Sequence, residues 1–237
     1  TILERFSEGL IFVDKNTNHQ SSNRRTGMPY LPGVKTMSEP KFVEELLNWW
    51  RLNYANDFNP TSASDREVPY PNIPRAKCDL IFSSDGSSLS NPEWAIEVKH
   101  IALVGNNGNN NDFGVQKLLS PYLKDRALIH DIERLGQFGI GKRRAVVGYC
   151  FEYDFNSCAQ ALQLHPNHKT FIDNIQEVCR HNDPTNGILS VMEMVEFADE
   201  IFRNRKLVKP VEVVNFQNAW RHPCGGKGNI FGWELIY

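Results

Sequence analysis

Lys77-Cys78-Asp79-Leu80-Ile81-Phe82-Ser83 is followed, after a connection rich in Ser, Gly, Asn and Pro, by Glu93-Trp94-Ala95-Ile96-Glu97-Val98-Lys99-His100-Ile101. The first run is short, apolar and ended by Ser84-Asp85-Gly86. In the second, Trp94, Ile96 and Val98 alternate with Ala95, Glu97 and Lys99. Both patterns predict strands. A period of two places Glu97 and Lys99 on one face and turns Val98 to the opposite, buried side, while a hairpin would bring Asp79 toward them. Two neighbouring carboxylates in an apolar sheet are costly unless something cationic lies between them, and a divalent metal with oxygen ligands meets that need. An adjacent lysine can orient a water, lower its pKa or stabilise charge developing on a phosphate. The competing reading is a solvent-facing strand whose Glu97 and Lys99 form surface pairs of little worth.

Working outward, residues 39–55 place Phe42, Val43, Leu46, Leu47, Trp50 and Tyr54 on one arc at helical spacing, with Ser38 able to cap and Pro40 suited to the first turn. Residues 14–40 and 56–76 read as loops, the latter because of Pro60, Pro69, Pro71 and Pro74. The asparagine-rich run 105–114 reads as an exposed loop. A helix is expected from Pro121 to about Phe138, with a stripe of Leu128, Ile129, Ile132 and Leu135 ended by Gly139 and Gly141. Residues 144–151 read as a central strand, 168–180 and 188–203 as helices, and 208–216 and 230–237 as strands. The succession predicts an α/β fold with a central mixed sheet flanked by helices. The expected organisation is an N-terminal arm (1–38), a core (39–155) and C-terminal helices and strands packed on it (156–237).

The chain has 237 residues, 41% of them hydrophobic and 23% charged, and a formal charge of −2, which rules out disordered, collagen-like and coiled-coil classes. At this length it buries about 70% of its unfolded surface, so a core needs no metal or disulfide staple and a metal site would be functional. Five scattered cysteines without a CxxC pair predict free thiols in a reducing, cytoplasmic setting. No apolar run reaches a membrane span, so no membrane partner is expected. The near-zero total hides segregation. Residues 114–151 carry a net +4, residues 203–227 a net +5 and residues 152–200 a net −7, so the basic segments are expected to line one cleft and the acidic one to face away.

Asp79, then seventeen residues, then Glu97-x-Lys99 resembles the motif of the PD-(D/E)xK, or restriction-endonuclease-like, nuclease superfamily. Cys78 stands where that motif usually has proline. The helix before the motif, the helix after it and the strand 144–151 are similar to the family's αβββαβ core, which extends the resemblance over roughly residues 39–155. The resemblance implies that Asp79 and Glu97 bind Mg²⁺ (Mn²⁺ as a substitute) with the backbone carbonyl of Val98, and that Lys99 positions or activates the attacking water. It further implies a glutamate from the preceding helix. Glu44 and Glu45 flank the apolar arc on opposite sides, periodicity does not choose between them, and Glu45 is preferred. The activity implied is Mg²⁺-dependent hydrolysis of DNA phosphodiesters by a type II restriction endonuclease, with a homodimer as the suited assembly. The alternatives are a non-specific, structure-specific or RNA-directed nuclease of the same fold, or a nucleic-acid-binding protein without activity.

Candidate nucleic-acid contacts are Arg126, His130 and Arg134 on one face of the helix 121–138, Lys142 and Arg143 beside Gly139 and Gly141, and Arg221 and Lys227 in a glycine-rich loop. That loop lacks the GxxxxGK[ST] spacing, so no nucleotide cofactor is expected. His165, His168, Cys179 and His181 match no zinc spacing. His100 points away from the motif's face and reads as a packing residue.

Overall fold

The computed structural model describes every residue except Arg24, residues 123–126 and Tyr237, and leaves out the side chains of Asp112 and Phe113. Strands β1 (Ser64–Pro69), β2 (Lys77–Phe82), β3 (Trp94–His100), β4 (Arg143–Glu152), β5 (Glu212–Ala219) and β6 (Gly226–Glu234) form one sheet in the order β1-β2-β3-β4-β6-β5. β3 and β4 are parallel and the other neighbours antiparallel. The helices are α1 (Ile2–Asn16), α2 (Glu39–Asn53), α3 (Asp112–Leu119), α4 (Leu128–Phe138), α5 (Phe155–Leu164), α6 (Lys169–Asn182) and α7 (Met192–Asn204). A parallel pair requires a crossover, and α3 and α4 lie within it. The α/β class with a mixed sheet flanked by helices is therefore observed. Among the described residues no helix is long and apolar enough to cross a membrane.

Residues directly paired across a sheet share a face, so the ladders sort the side chains. Leu80, Ile96, Val98, Val147 and Tyr149 face α1 and α2, where Phe42 meets Tyr149 at 4.7 Å and Trp50 meets Phe82 at 5.3 Å between ring centroids. Glu97, Lys99, Val146 and Trp233 face the other way, toward α4 and α7. There Phe202 meets Trp233 at 5.4 Å, and the indole N–H of Trp233 donates to Asp199 Oδ1 at 3.0 Å. All five cysteines are free and buried, as expected.

Five expectations need correction. The arm expected over 1–38 begins with α1, because Leu3, Phe6, Leu10 and Val13 recur at helical spacing and Thr1 and Glu4 form a capping box. The helix packs its apolar stripe against α2 and β5, and Ser7 Oγ donates to the Asn215 carbonyl at 3.1 Å. The loop expected over 56–76 contains β1, an edge strand that pairs on one side only; its sequence Ser-Asp-Arg-Glu-Val-Pro has a single apolar side chain before the proline and so shows no alternation. Residues 156–237 do not merely pack on a core, since β6 lies directly against β4 and continues the same sheet. The expected helix 121–138 begins at Leu128 among the described residues, and α3 begins at Asp112, within the run read as loop.

The contact between β6 and β4 leaves no room at Gly228, where an added Cβ would lie 1.9 Å from the Cys150 carbonyl oxygen and 2.6 Å from the Phe216 ring. Backbone cannot yield as a flexible side chain can. Gly228→Ala is expected to lower stability by about 3 kcal/mol, read as a shifted midpoint in urea denaturation.

A second buried feature ties the loops together. Asp14 accepts from the backbone N–H groups of Val34 and Arg221, each at 2.9 Å, and Lys35 Nζ donates to the Val104 carbonyl at 2.8 Å. Burial pushes the Lys35 ammonium down to about 8. Its folded pKa lies below its unfolded one, so folding pays for the charge below pH 8 and gains stability as the pH rises toward 10.5. Relative to Lys35→Met, the native chain is expected to gain on the order of 3 kcal/mol across that window, measured as the difference between the two proteins' urea stabilities at each pH.

Candidate active site

The β2–β3 ladder runs from Phe82↔Trp94 through Leu80↔Ile96, and beyond it the strands diverge. Side chains take the backbone groups that the divergence frees. Asp79 Oδ2 accepts from the Val98 N–H at 2.7 Å, and the Cys78 thiol donates to the Ile96 carbonyl at 3.5 Å. The divergence opens a cleft of about 710 Å³ floored by Asp79, Glu97 and Lys99 and walled by the first turn of α2, residues 73–77 and α4.

Glu97 and Lys99 are buried, while Asp79 is half-buried and borders the cleft. Asp79 and Glu97 line the same cleft, close enough for the charge of Glu97 to act on Asp79. Burial and then the charge of Glu97 hold the Asp79 carboxyl well above the usual carboxylate range. Burial and then Asp131 raise Glu97, against the pull of Arg134. Glu97 Oε1 is fully engaged, accepting from the Tyr70 hydroxyl at 2.6 Å and from Arg134 Nη2 at 3.0 Å and Nε at 3.3 Å. Arg134 Nη2 also donates to Asp131 Oδ1 at 2.5 Å, and Asp131 Oδ2 lies 3.0 Å from Lys99 Nζ. Glu97, Arg134, Asp131 and Lys99 therefore form a chain of alternating charge in which an i, i+3 pair on α4 grips the i, i+2 pair on β3. Burial pushes the Lys99 ammonium down, but Asp131 and Glu39 outweigh it and hold it above its ordinary range. Lys99 is accordingly a fixed cation and not a base.

The glutamate expected from the helix before the motif is placed differently. Glu45 pairs with Lys41 at 2.8 Å, as Glu44 does at 2.9 Å, and Glu44 also meets Arg66 at 2.8 Å; neither lines the cleft. The helix delivers Glu39 instead. Its Oε1 accepts from the His100 N–H at 2.9 Å and from Lys117 Nζ at 3.2 Å, and its Oε2 is 3.9 Å from Lys99 Nζ. The N-terminal turn of α2, not its flank, meets the end of β3, and no periodicity encodes that.

The expected basic contacts divide. His130 and Arg134 line the cleft, His130 Nδ1 facing Glu133 at 3.2 Å. Arg126 lies outside the described residues. Lys142 is held by Asp85 at 2.9 Å, and Arg143 by Glu234 at 2.9 Å while covering the Trp94 ring at 3.9 Å. Arg143 pairs with Trp94, five residues and about 16 Å along β3 from Lys99. Lys227 pairs with Asp154, and the Arg221 N–H donates to Asp14. The segment 203–227 does not line the cleft; Arg203 pairs with Asp199, Lys209 with Glu234 and Lys227 with Asp154. His100 stacks on Tyr149, with ring centroids 4.6 Å apart at 3°, on the opposite face as expected.

Among the described residues no group of three or more His, Cys, Asp or Glu side chains is gathered to hold a metal. The donors present are the oxygens of Asp79 and Glu97 left free by Val98, Tyr70 and Arg134, a hard-oxygen set that suits a cation retaining several waters, as Mg²⁺ does. No family model, curated protein or solved structure matches this chain. The functional reading therefore rests on the residues of this cleft alone.

Proposed function

We propose that the chain is a Mg²⁺-dependent nuclease with a restriction-endonuclease-like core, its metal held by Asp79 and Glu97. One observation carries the reading. In the alternating chain each charge has a counter-charge, but among the described residues no cation lies within ion-pair distance of Asp79, which sits half-buried beside a second carboxyl group. A dication held there supplies the counter-charge that Asp79 lacks and leaves positive charge for a phosphodiester anion. The succession helix, three antiparallel strands, helices and parallel strand over α2 to β4 supports the same reading.

A bound Mg²⁺ would supply a Lewis acid and an acidified water. Tyr70 and Arg134 hold Oε1 of Glu97 and so direct its other oxygen toward Asp79. Asp79 is fixed by the Val98 N–H. Lys99, locked by Asp131, presents a permanent positive charge that orients the attacking water and offsets charge on the phosphate as the new P–O bond forms and the opposite one breaks. The proton lost by the attacking water passes to solvent in the open cleft, and the leaving oxygen takes one from solvent as it departs.

The closed run of ion pairs favours a second reading, in which Glu97 and Lys99 are structural and the chain binds nucleic acid without cutting it. Plasmid DNA separates the two. The nuclease reading predicts cleavage with Mg²⁺ and none with EDTA, with discrete fragments if the chain is a dimeric type II restriction endonuclease and smears if it is non-specific. Cleavage of RNA in place of DNA would redirect the substrate class, and binding without cutting would establish the second reading.

A further inference from the structure

Arg134 is placed where sequence reasoning expects a phosphate contact, yet its guanidinium is turned inward. It gives Nε and Nη2 to Glu97 Oε1 at 3.3 and 3.0 Å and Nη2 to Asp131 Oδ1 at 2.5 Å. Its side chain is 18% exposed and that of Asp131 1%, so these bonds lie largely out of water. The guanidinium also lies 5.4 Å from the Tyr70 ring, whose hydroxyl donates to the same Glu97 oxygen.

We propose that Arg134 is the counter-ion that stands in for the dication's charge in the metal-free site, so that it sets how tightly the site takes metal. This rests on the metal-site reading of Asp79 and Glu97. Two effects oppose each other. As an orienting partner of a ligating carboxylate, Arg134 strengthens metal binding by the 10- to 100-fold typical of such partners. As a cation bonded to that carboxylate in a cleft partly closed to water, it repels a dication on the remaining oxygens. Coulomb repulsion at this range and low effective dielectric exceeds the orienting gain, so repulsion wins. Tyr70, which is neutral and bonded to the same oxygen, continues to orient Glu97 when Arg134 is removed. The fold gains a site in which Glu97 is matched without metal while Asp79 is not, and which loads metal only against the resistance of a built-in cation.

The test is a Mn²⁺ titration of the whole chain without nucleic acid, following the electron paramagnetic resonance signal of the free ion. Arg134→Met is expected to bind Mn²⁺ about tenfold more tightly than the native chain or better, and Arg134→Lys, which keeps the charge, to stay within about threefold of it. If the methionine variant fails to fold by circular dichroism, Arg134→Gln carries the same comparison. Equal or weaker binding by the neutral variants overturns the proposal. A native chain that binds Mn²⁺ but leaves DNA intact removes the nuclease reading and leaves the counter-ion role to the variants. Absence of Mn²⁺ binding by both native and neutral variants at millimolar metal overturns the metal site and the counter-ion role together.

Discussion

Lys99→Ala is expected to lower Mg²⁺-dependent cleavage of DNA by about 10³-fold in kcat/KM, the cost of deleting one preorganised charge aimed at a transition state, while the folded state is retained. The loss should fall on kcat, because Lys99 sits in the cleft floor, largely buried and paired with Asp131; it is not spread along a nucleic-acid surface. Removing it leaves Asp131 with Arg134 as its remaining partner, and the expected loss of stability is about 3 kcal/mol. Single-turnover kinetics with circular dichroism of the same samples measures both. Unaltered cutting by the variant would contradict the site, whatever the variant's stability. Lys99→Arg, which keeps the charge but changes its shape, is expected to restore the stability more fully than the rate.

The second large effect runs opposite to the usual direction of mutation. Asp79→Asn should abolish metal-dependent cleavage and yet stabilise the metal-free protein at pH 7, by about 1–3 kcal/mol, the range for relieving an unpaired, desolvated carboxylate. The sign follows from the raised pKa of Asp79. A carboxyl group held above its unfolded value favours the folded state while protonated, so this benefit is complete below about pH 4 and is lost as the pH rises through the folded value. Above the unfolded value the group costs the folded state stability, a cost that asparagine removes, and asparagine can still accept from the Val98 N–H. Mg²⁺ at a hundredfold excess over its dissociation constant should stabilise the native chain by about 2.7 kcal/mol and leave Asp79→Asn unchanged. Thermal unfolding of both proteins, with Mg²⁺ and with EDTA, provides the four numbers. A native chain as stable as the variant without metal would mean that Asp79 is compensated after all.

The two motif strands were legible because their signal is local. Alternation over residues 93–101 and the apolar run 77–83 define β3 and β2 to within a residue or two of their ends. The apolar arcs of α2 and α4 were legible for the same reason, as was the core strand β4. The helix α1 is also written locally, in Leu3, Phe6, Leu10 and Val13 and the Thr1 cap, but the polar run from residue 14 gives residues 1–38 as a whole the character of a loop. What the sequence does not carry is the partner of each charge. Glu39 and Glu45 lie on the same helix, six residues apart, and only the packing of its first turn against the end of β3 brings the former to Lys99. Arg134 shares a helix face with His130, yet a buried carboxylate three residues earlier and another on β3 turn it inward. The separation of basic and acidic segments failed as a guide to the surface because Lys142, Arg143 and Lys227 are matched with Asp85, Glu234 and Asp154, far from them in sequence.

The account depends on Asp79 and Glu97 sharing a divalent cation. Anomalous diffraction from crystals of the native chain soaked in Mn²⁺ tests this directly. The expected result is one strong peak within about 2.0–2.4 Å of a carboxylate oxygen of each residue, absent from crystals of Asp79→Asn. Native crystals that give no peak at that position at millimolar Mn²⁺, or that place the ion elsewhere in the cleft away from Asp79 and Glu97, would contradict it.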